Sequence, residues 1–137
     1  MKNIHKLAAI DIGSNAVRLL ITSIRINKSE TKFKKISLVR VPLRLGEDVF
    51  SKGKISDKKL KKLQKTLKAF KILMQMHEVY MFKAVATSAM REAENSTKII
   101  EDIFKKLNIK IDLISGKKEA LMIANVFLNS IENLVNN

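Results

Sequence analysis

Cysteine and tryptophan are absent from this 137-residue chain, which also has one proline, one tyrosine and four glycines. Without cysteine there are no disulfides and no thiolate metal sites, and the composition suits a reducing compartment. Only two histidines are present, His5 and His77. No partner residues stand at metal-ligand spacing from either, so both read as surface residues. Long apolar runs are missing too. None approaches the roughly 18 residues of a membrane span, and no signal-peptide pattern precedes the first strand-like segment. A cytoplasmic protein with no membrane partner is expected.

Acidic residues are also scarce, 13 Asp and Glu against 27 Lys and Arg, for a net charge of +14. Such a surplus favours anionic partners and speeds encounter with them. The candidates are nucleic acid, polyphosphate, nucleotides or an acidic partner domain. A lysine-rich, AT-biased genome gives the same surplus with no functional cause. What is plentiful is apolar sequence, 46% of residues, which excludes a disordered chain and is enough for one domain with a real core.

The chain reads as βββαβαβα. Leu7–Ile12 is a short apolar strand, followed by the turn Gly13-Ser14-Asn15. Ala16–Ile26 is a second strand with Val17, Leu19 and Ile21 on one face, and Lys28–Lys32 a polar turn. Phe33–Val41 is a third strand, ended at a sheet edge by Pro42. Residues 43–56, with two of the glycines, read as a loop. Ser56-Asp57 caps a helix to about Met76, with Leu60, Leu63, Leu67, Phe70 and Met74 on one face and lysines opposite. Val79–Ala86 is a fourth strand. Ser96-Thr97 opens a helix through Leu107, with Ile99, Ile100, Ile103 and Phe104 inward. Ile109–Ile114 is a fifth strand, and Ser115-Gly116 caps a last helix bearing an apolar stripe from Ala120 to Val135. A meander followed by two right-handed crossovers gives one mixed five-stranded sheet with helices packed on it. The chain stops where the pattern would next place a strand, so residues 1–137 read as one domain of a longer protein.

Three stretches fall on one edge of such a sheet. In "IDIGSNAVRLL" (10–20), backbone N–H groups of the Gly-Ser-Asn turn can converge on an anion, and Asp11 can hold a hydrated Mg²⁺ beside it. Ordinary turn chemistry accounts for the same residues. In "AVATSAMREAEN" (84–95), Thr87-Ser88 opens a helical turn after a strand, with Arg91 nearby as a planar phosphate fork. Equally, Thr87 or Ser88 simply caps a helix and Arg91 is solvated. In "DLISGKKEALMIA" (112–124), Glu119 lies in the first turn of a helix. There it either complements the macrodipole or serves as a general base.

Taken together and in this order, "AAIDIGSNAVRLLI", "RLGED" (44–48), "ATSAMREAEN" and "ISGKKEA" resemble the exopolyphosphatase/guanosine-pentaphosphate phosphohydrolase family. The resemblance spans residues 7–128. It implies a ribonuclease-H-like domain of the actin-like ATPase type, the first of two that face a cleft. It implies release of terminal phosphate from inorganic polyphosphate or guanosine pentaphosphate, assisted by Mg²⁺. Carried over by position, Asp11 becomes the carboxylate near the metal. Gly13, Ser14 and Asn15 become the phosphate turn, Arg18, Thr87 and Arg91 further phosphate ligands, and Glu119 the catalytic base. Ala16 stands where the family often has a hydroxyl, and Lys117-Lys118 where many relatives carry acids. The family's glycine-rich second phosphate loop is not in this chain, so the missing C-terminal domain would be its partner and the fragment alone would be inactive. A homodimer of the full-length protein is left open. Nucleic acid is not the expected partner; the alternative is a non-catalytic polyanion- or nucleic-acid-binding domain of the same fold. A sugar or acetate kinase of the same superfold does not suit the "SGKKEA" segment.

Overall fold

The computed structural model describes residues 4–27 and 30–115. The expected last helix and Glu119 lie outside them. Three strands, β1 (Ile4–Ile12), β2 (Val17–Ile26) and β3 (Thr31–Val41), form an antiparallel meander. Two crossovers then add β4 (Met81–Ala86) parallel to β1 and β5 (Ile111–Leu113) parallel to β4. The sheet order is β3-β2-β1-β4-β5, the mixed five-stranded sheet expected from the pattern. Because β1, β3, β4 and β5 run the same way, the segments that follow them gather at one edge.

Alternation decides what each strand buries. Ala8, Ile10 and Ile12 of β1 join Val17, Leu19 and Ile21 of β2 in the main core. Helix α2 (Asp57–Met76) closes this core with Leu63, Leu67, Phe70 and Met74. Its start is fixed by Ser56, whose hydroxyl accepts from the Lys59 N–H at 3.3 Å, the cap expected from sequence. Phe70 is fully buried, so Phe70→Ala would cost about 3–5 kcal/mol. Pro42 follows β3 directly, and β3 is a sheet edge where a missing N–H is tolerated.

The structure departs from the sequence reading at several points. The stretch 43–56 is not all loop: Leu45–Lys52 is a helix, α1, with Leu45 and Val49 buried one turn apart. Eight residues with an internal glycine carry little helical signal of their own. Tertiary contact supplies it, because the Gly46 N–H donates to the Ser14 carbonyl at 2.9 Å. A Cβ on Gly46 would stand 3.1 Å from Ser14 Cβ. Helix α3 (Ser88–Glu92) and helix α4 (Ser96–Leu107) follow β4. On α4, Ile99 and Ile103 are buried and Ile100 packs against the core, but Phe104 is exposed. β4 begins at Met81 rather than Val79 because Glu78 turns the chain with φ 56°. β5 is three residues long, as suits an outer strand with one partner.

Asn95 ties these pieces together. Its amide donates to the Ile55 carbonyl at 2.9 Å and accepts from the Ile55 N–H at 3.1 Å. This pins the α3–α4 junction to the α1–α2 connection and holds both beside the gathered edge.

Candidate functional site

The β1–β2 hairpin turns through Gly13-Ser14-Asn15, closed by the Gly13 N–H donating to the Ala16 carbonyl at 3.0 Å. Three further bonds set the turn's position. The Asn15 carbonyl accepts from the Arg44 N–H at 2.9 Å, the Ser14 carbonyl accepts from Gly46, and Ser14 Oγ lies 3.0 Å from Ser88 Oγ. The first and second sequence motifs and the "RLGED" segment thus meet at one turn. Arg44 adopts a left-handed conformation, φ 55°, as the N-cap of α1. That is uncommon for a residue with a Cβ, and it lets the chain enter α1 while bonded to the turn.

Asp11 sits on β1 directly opposite Arg18 on β2. Arg18 Nε donates to Asp11 Oδ2 at 3.1 Å, and the Arg18 Nη2 group forms an ion pair with the same oxygen. The other oxygen, Asp11 Oδ1, is buried and has no hydrogen-bond partner among the described residues. In a native interior such an orphan acceptor calls for an explanation. Beyond Arg18, the ladder places Arg40 of β3 directly opposite it. The row Asp11–Arg18–Arg40 therefore crosses three strands on the face of the sheet turned away from the α2 core. With the 13–15 turn and buried Thr87, it lines a cavity of about 290 Å³. One carboxylate and two guanidiniums face a polar turn there, and Arg40 pairs with no carboxylate among the described residues.

The structure thus brings together Asp11, Gly13, Ser14, Asn15, Arg18 and Thr87 from the sequence-derived set. It places Arg91 elsewhere. Arg91 Nη1 donates to the Ile114 carbonyl at 3.2 Å, and its Nε lies 3.6 Å from Glu92 Oε1, so it binds the end of β5 rather than lining this cavity. Thr87 makes no side-chain cap bond. Its N–H instead extends the β1–β4 ladder, donating to the Ile12 carbonyl at 3.2 Å.

Arg40 is the residue that sequence reasoning missed. From the 26–31 turn, a strict hairpin register pairs each residue of β2 with one on β3 whose numbers sum to 57, as Arg25 with Lys32 and Thr22 with Lys35 do. A register irregularity between Ile21 and Thr22 changes the sum to 58, pairing Arg18 with Arg40. A one-residue shift moves a side chain to the other face. No sequence signal marks the irregularity.

The family model described as the Ppx/GppA phosphatase family matches residues 24–135. An exopolyphosphatase of Mycobacterium tuberculosis is 30% identical over 115 residues, which is 84% of this chain and 33% of that protein. A bifunctional 3-dehydroquinate synthase/phosphatase of Fusobacterium nucleatum is 33% identical over 122 residues, 87% of this chain and 18% of the relative. The crystal structure of the Aquifex aeolicus Ppx/GppA family member superposes with a TM-score of 0.77 at 30% identity, covering 85% of this chain and 37% of that one. The fold is the ribonuclease-H-like, actin-type domain of those proteins. This chain belongs to the Ppx/GppA phosphatase family, and it spans a third or less of the length of these curated relatives.

Proposed function

We propose that this domain forms one wall of a phosphoanhydride hydrolase that releases terminal phosphate from inorganic polyphosphate or guanosine pentaphosphate in the cytoplasm. The observation that supports this most is the Asp11–Arg18–Arg40 row beside the Gly13-Ser14-Asn15 turn in one cavity. Two guanidiniums and turn N–H groups suit the equatorial oxygens of a phosphoryl group, where positioning and charge stabilisation supply most of the rate. Arg18 is oriented by its bonds to Asp11, so its planar fork is set before substrate arrives.

Mg²⁺ fits the residues present. It commonly takes one or two carboxylates and completes its shell with water and substrate phosphate oxygens. Asp11 offers one buried oxygen, unpartnered among the described residues, for this purpose. Among the described residues no cluster of three or more ligating side chains forms a protein cage. When bound, the ion would neutralise developing charge on phosphate oxygens. Glu119, outside the described residues, is the general base of this reading and would deprotonate and orient the attacking water. The opposing wall would come from a further domain of the full-length protein.

The deciding experiment is phosphate release from polyphosphate and from guanosine pentaphosphate by the full-length protein, compared with Arg18→Ala. Release from either substrate, reduced in the variant, supports the hydrolase. Tight polyphosphate binding without release identifies a non-catalytic polyanion-binding domain instead.

A further inference from the structure

Strand β3 is an open edge of the sheet, with β2 as its one strand partner among the described residues. It is 11 residues long, about twice the usual strand length. The backbone N–H and C=O groups along its outer side therefore have no described strand to pair with. Exposed edges are normally kept short, charged or covered, because an open one is a template for another strand. This edge carries charge, but it also carries apolar surface. Phe33 is 54% exposed, Leu38 49% and Ile36 38%. Protection of the edge accounts for its lysines and leaves these three side chains unexplained.

Cross-strand partners share a face of the sheet. Phe33, Lys35, Leu38 and Arg40 stand opposite Ile24, Thr22, Leu20 and Arg18, so they form one row on the Asp11 face, apolar and basic in alternation. Lys32 and Lys34 are exposed on the other face. Between Thr31 and Val41 there are four bases and no acid. Lys32 pairs with Glu30 at 3.5 Å, while Lys34 and Lys35 have no carboxylate among the described residues. Arg40 belongs to the cavity. Phe33 lies at the other end of the strand, near the 26–31 turn and roughly 20 Å away. A further domain standing over the cavity, as the proposed function places it, leaves that end of β3 open.

The charges select the occupant. Pairing with the same edge of a second copy would put two sets of these bases on adjacent strands with no acid between them, and like charges across a ladder are destabilising. The register shift also leaves Ile36 as an extra residue between Lys35 and Ser37, a bulge of the kind that hinders flat edge-to-edge association. Single-stranded nucleic acid stacks its bases on successive aromatic rings, and Phe33 is the one aromatic residue of β3. An acidic strand meets none of these obstacles. Carboxylates opposite Lys34 and Lys35 relieve their charge, and apolar side chains cover Phe33 and Leu38. We infer that residues 32–38 are a docking edge for an extended segment of a separate protein, acidic and apolar in alternation, that adds to β3 as an outer strand. Its ladder runs along residues 32–35, with Leu38 as an apolar contact beyond the bulge, and stops short of Arg40.

The test uses the full-length protein and a labelled, end-blocked peptide of alternating valine and glutamate. Binding is followed by fluorescence anisotropy at about 0.15 M salt and by amide hydrogen exchange. The peptide is expected to bind and, at saturation, to slow exchange of the amides of residues 32–38. A fully N-methylated copy keeps the charge and loses the ladder donors, so it should bind roughly tenfold or more weakly. Phe33→Thr combined with Leu38→Thr keeps strand-forming residues and removes the apolar contact. Its Kd for the peptide should rise roughly tenfold, with the melting temperature and phosphate release of wild type. Absence of binding overturns the docking edge. Equal binding of the N-methylated peptide also overturns it, by showing charge attraction alone, as does protection confined to residues outside 32–38. Single-stranded DNA protecting residues 32–38 as well as the peptide does would replace the acidic strand with nucleic acid. A concentration-dependent dimer abolished by the double substitution would assign the edge to a second copy instead.

Discussion

Arg18 and Arg40 face one another directly across the β2–β3 ladder. Like charges opposite each other in a sheet are destabilising, and only Arg18 has the Asp11 carboxylate to relieve it. A pair that costs stability at the mouth of a polar cavity is a mark of function. Arg40→Ala is therefore expected to leave the melting temperature unchanged or slightly raised, while KM for polyphosphate rises about tenfold. Thermal melts and steady-state kinetics on the same preparation check both halves, and a fall in stability with unchanged KM would make Arg40 a structural residue.

Glu119 is tested by Glu119→Gln in the full-length protein. The amide keeps the shape and removes the base. Turnover is expected to fall by about 10²-fold or more, in line with general-base contributions, with substrate affinity little changed. Near-normal turnover would reduce Glu119 to a residue of the helix's first turn.

Gly46 can be tested by adding one methyl group. The Cβ of Gly46→Ala meets Phe50 Cε2 at 3.1 Å, Ser14 Cβ at 3.1 Å and the Ser14 carbonyl oxygen at 3.3 Å. The exposed Phe50 ring can swing aside, but the Ser14 turn is held by several hydrogen bonds. The substitution is expected to cost about 1–3 kcal/mol, the range for overpacking, and to weaken phosphate binding by displacing the turn. Denaturant unfolding and a phosphate titration separate the two effects.

Asp48 makes a pH-dependent contribution. Hydrogen bonds from the Ser56 hydroxyl and backbone N–H, with Lys59 nearby, hold its carboxyl below the usual range. The Ser56 N–H bond is 2.9 Å long. A depressed folded value means the unfolded chain binds the proton more readily. The stabilisation is thus complete above the ordinary aspartate value near 4 and is lost as pH falls through the lower folded value. Asp48→Asn should melt below wild type at pH 7, and the difference should shrink towards pH 3. A constant difference across that window would assign the loss to packing.

The 137-residue chain on its own is expected to fold, to bind polyphosphate weakly and with strong salt dependence, and to release no phosphate above background. One wall leaves the phosphoryl group half-enclosed and wet, where donors act far more weakly. Steady release by the purified chain, abolished in Glu119→Gln, would show that a second wall is dispensable.

The sequence by itself determined the order of the five strands and of helices α2 and α4 among them, the Ser56 cap, the core stripe of α2 and the position of the Gly13-Ser14-Asn15 turn. Those features follow from local periodicity and turn chemistry, which act over a few neighbouring residues. It also marked Asp11, a lone carboxylate in an otherwise apolar run, while Arg18 was marked only by the family resemblance. Only the tertiary structure decided that Arg40 joins their row, since the irregularity at Ile21/Thr22 arises from pairing between strands. It likewise decided that residues 45–52 are helical, because the bond to Ser14 and the burial of Leu45 and Val49 come from segments distant in the chain. The same holds for Arg91, sent to the Ile114 carbonyl by the β4–β5 crossover. A side chain's partner across the fold depends on contacts that no window of sequence contains.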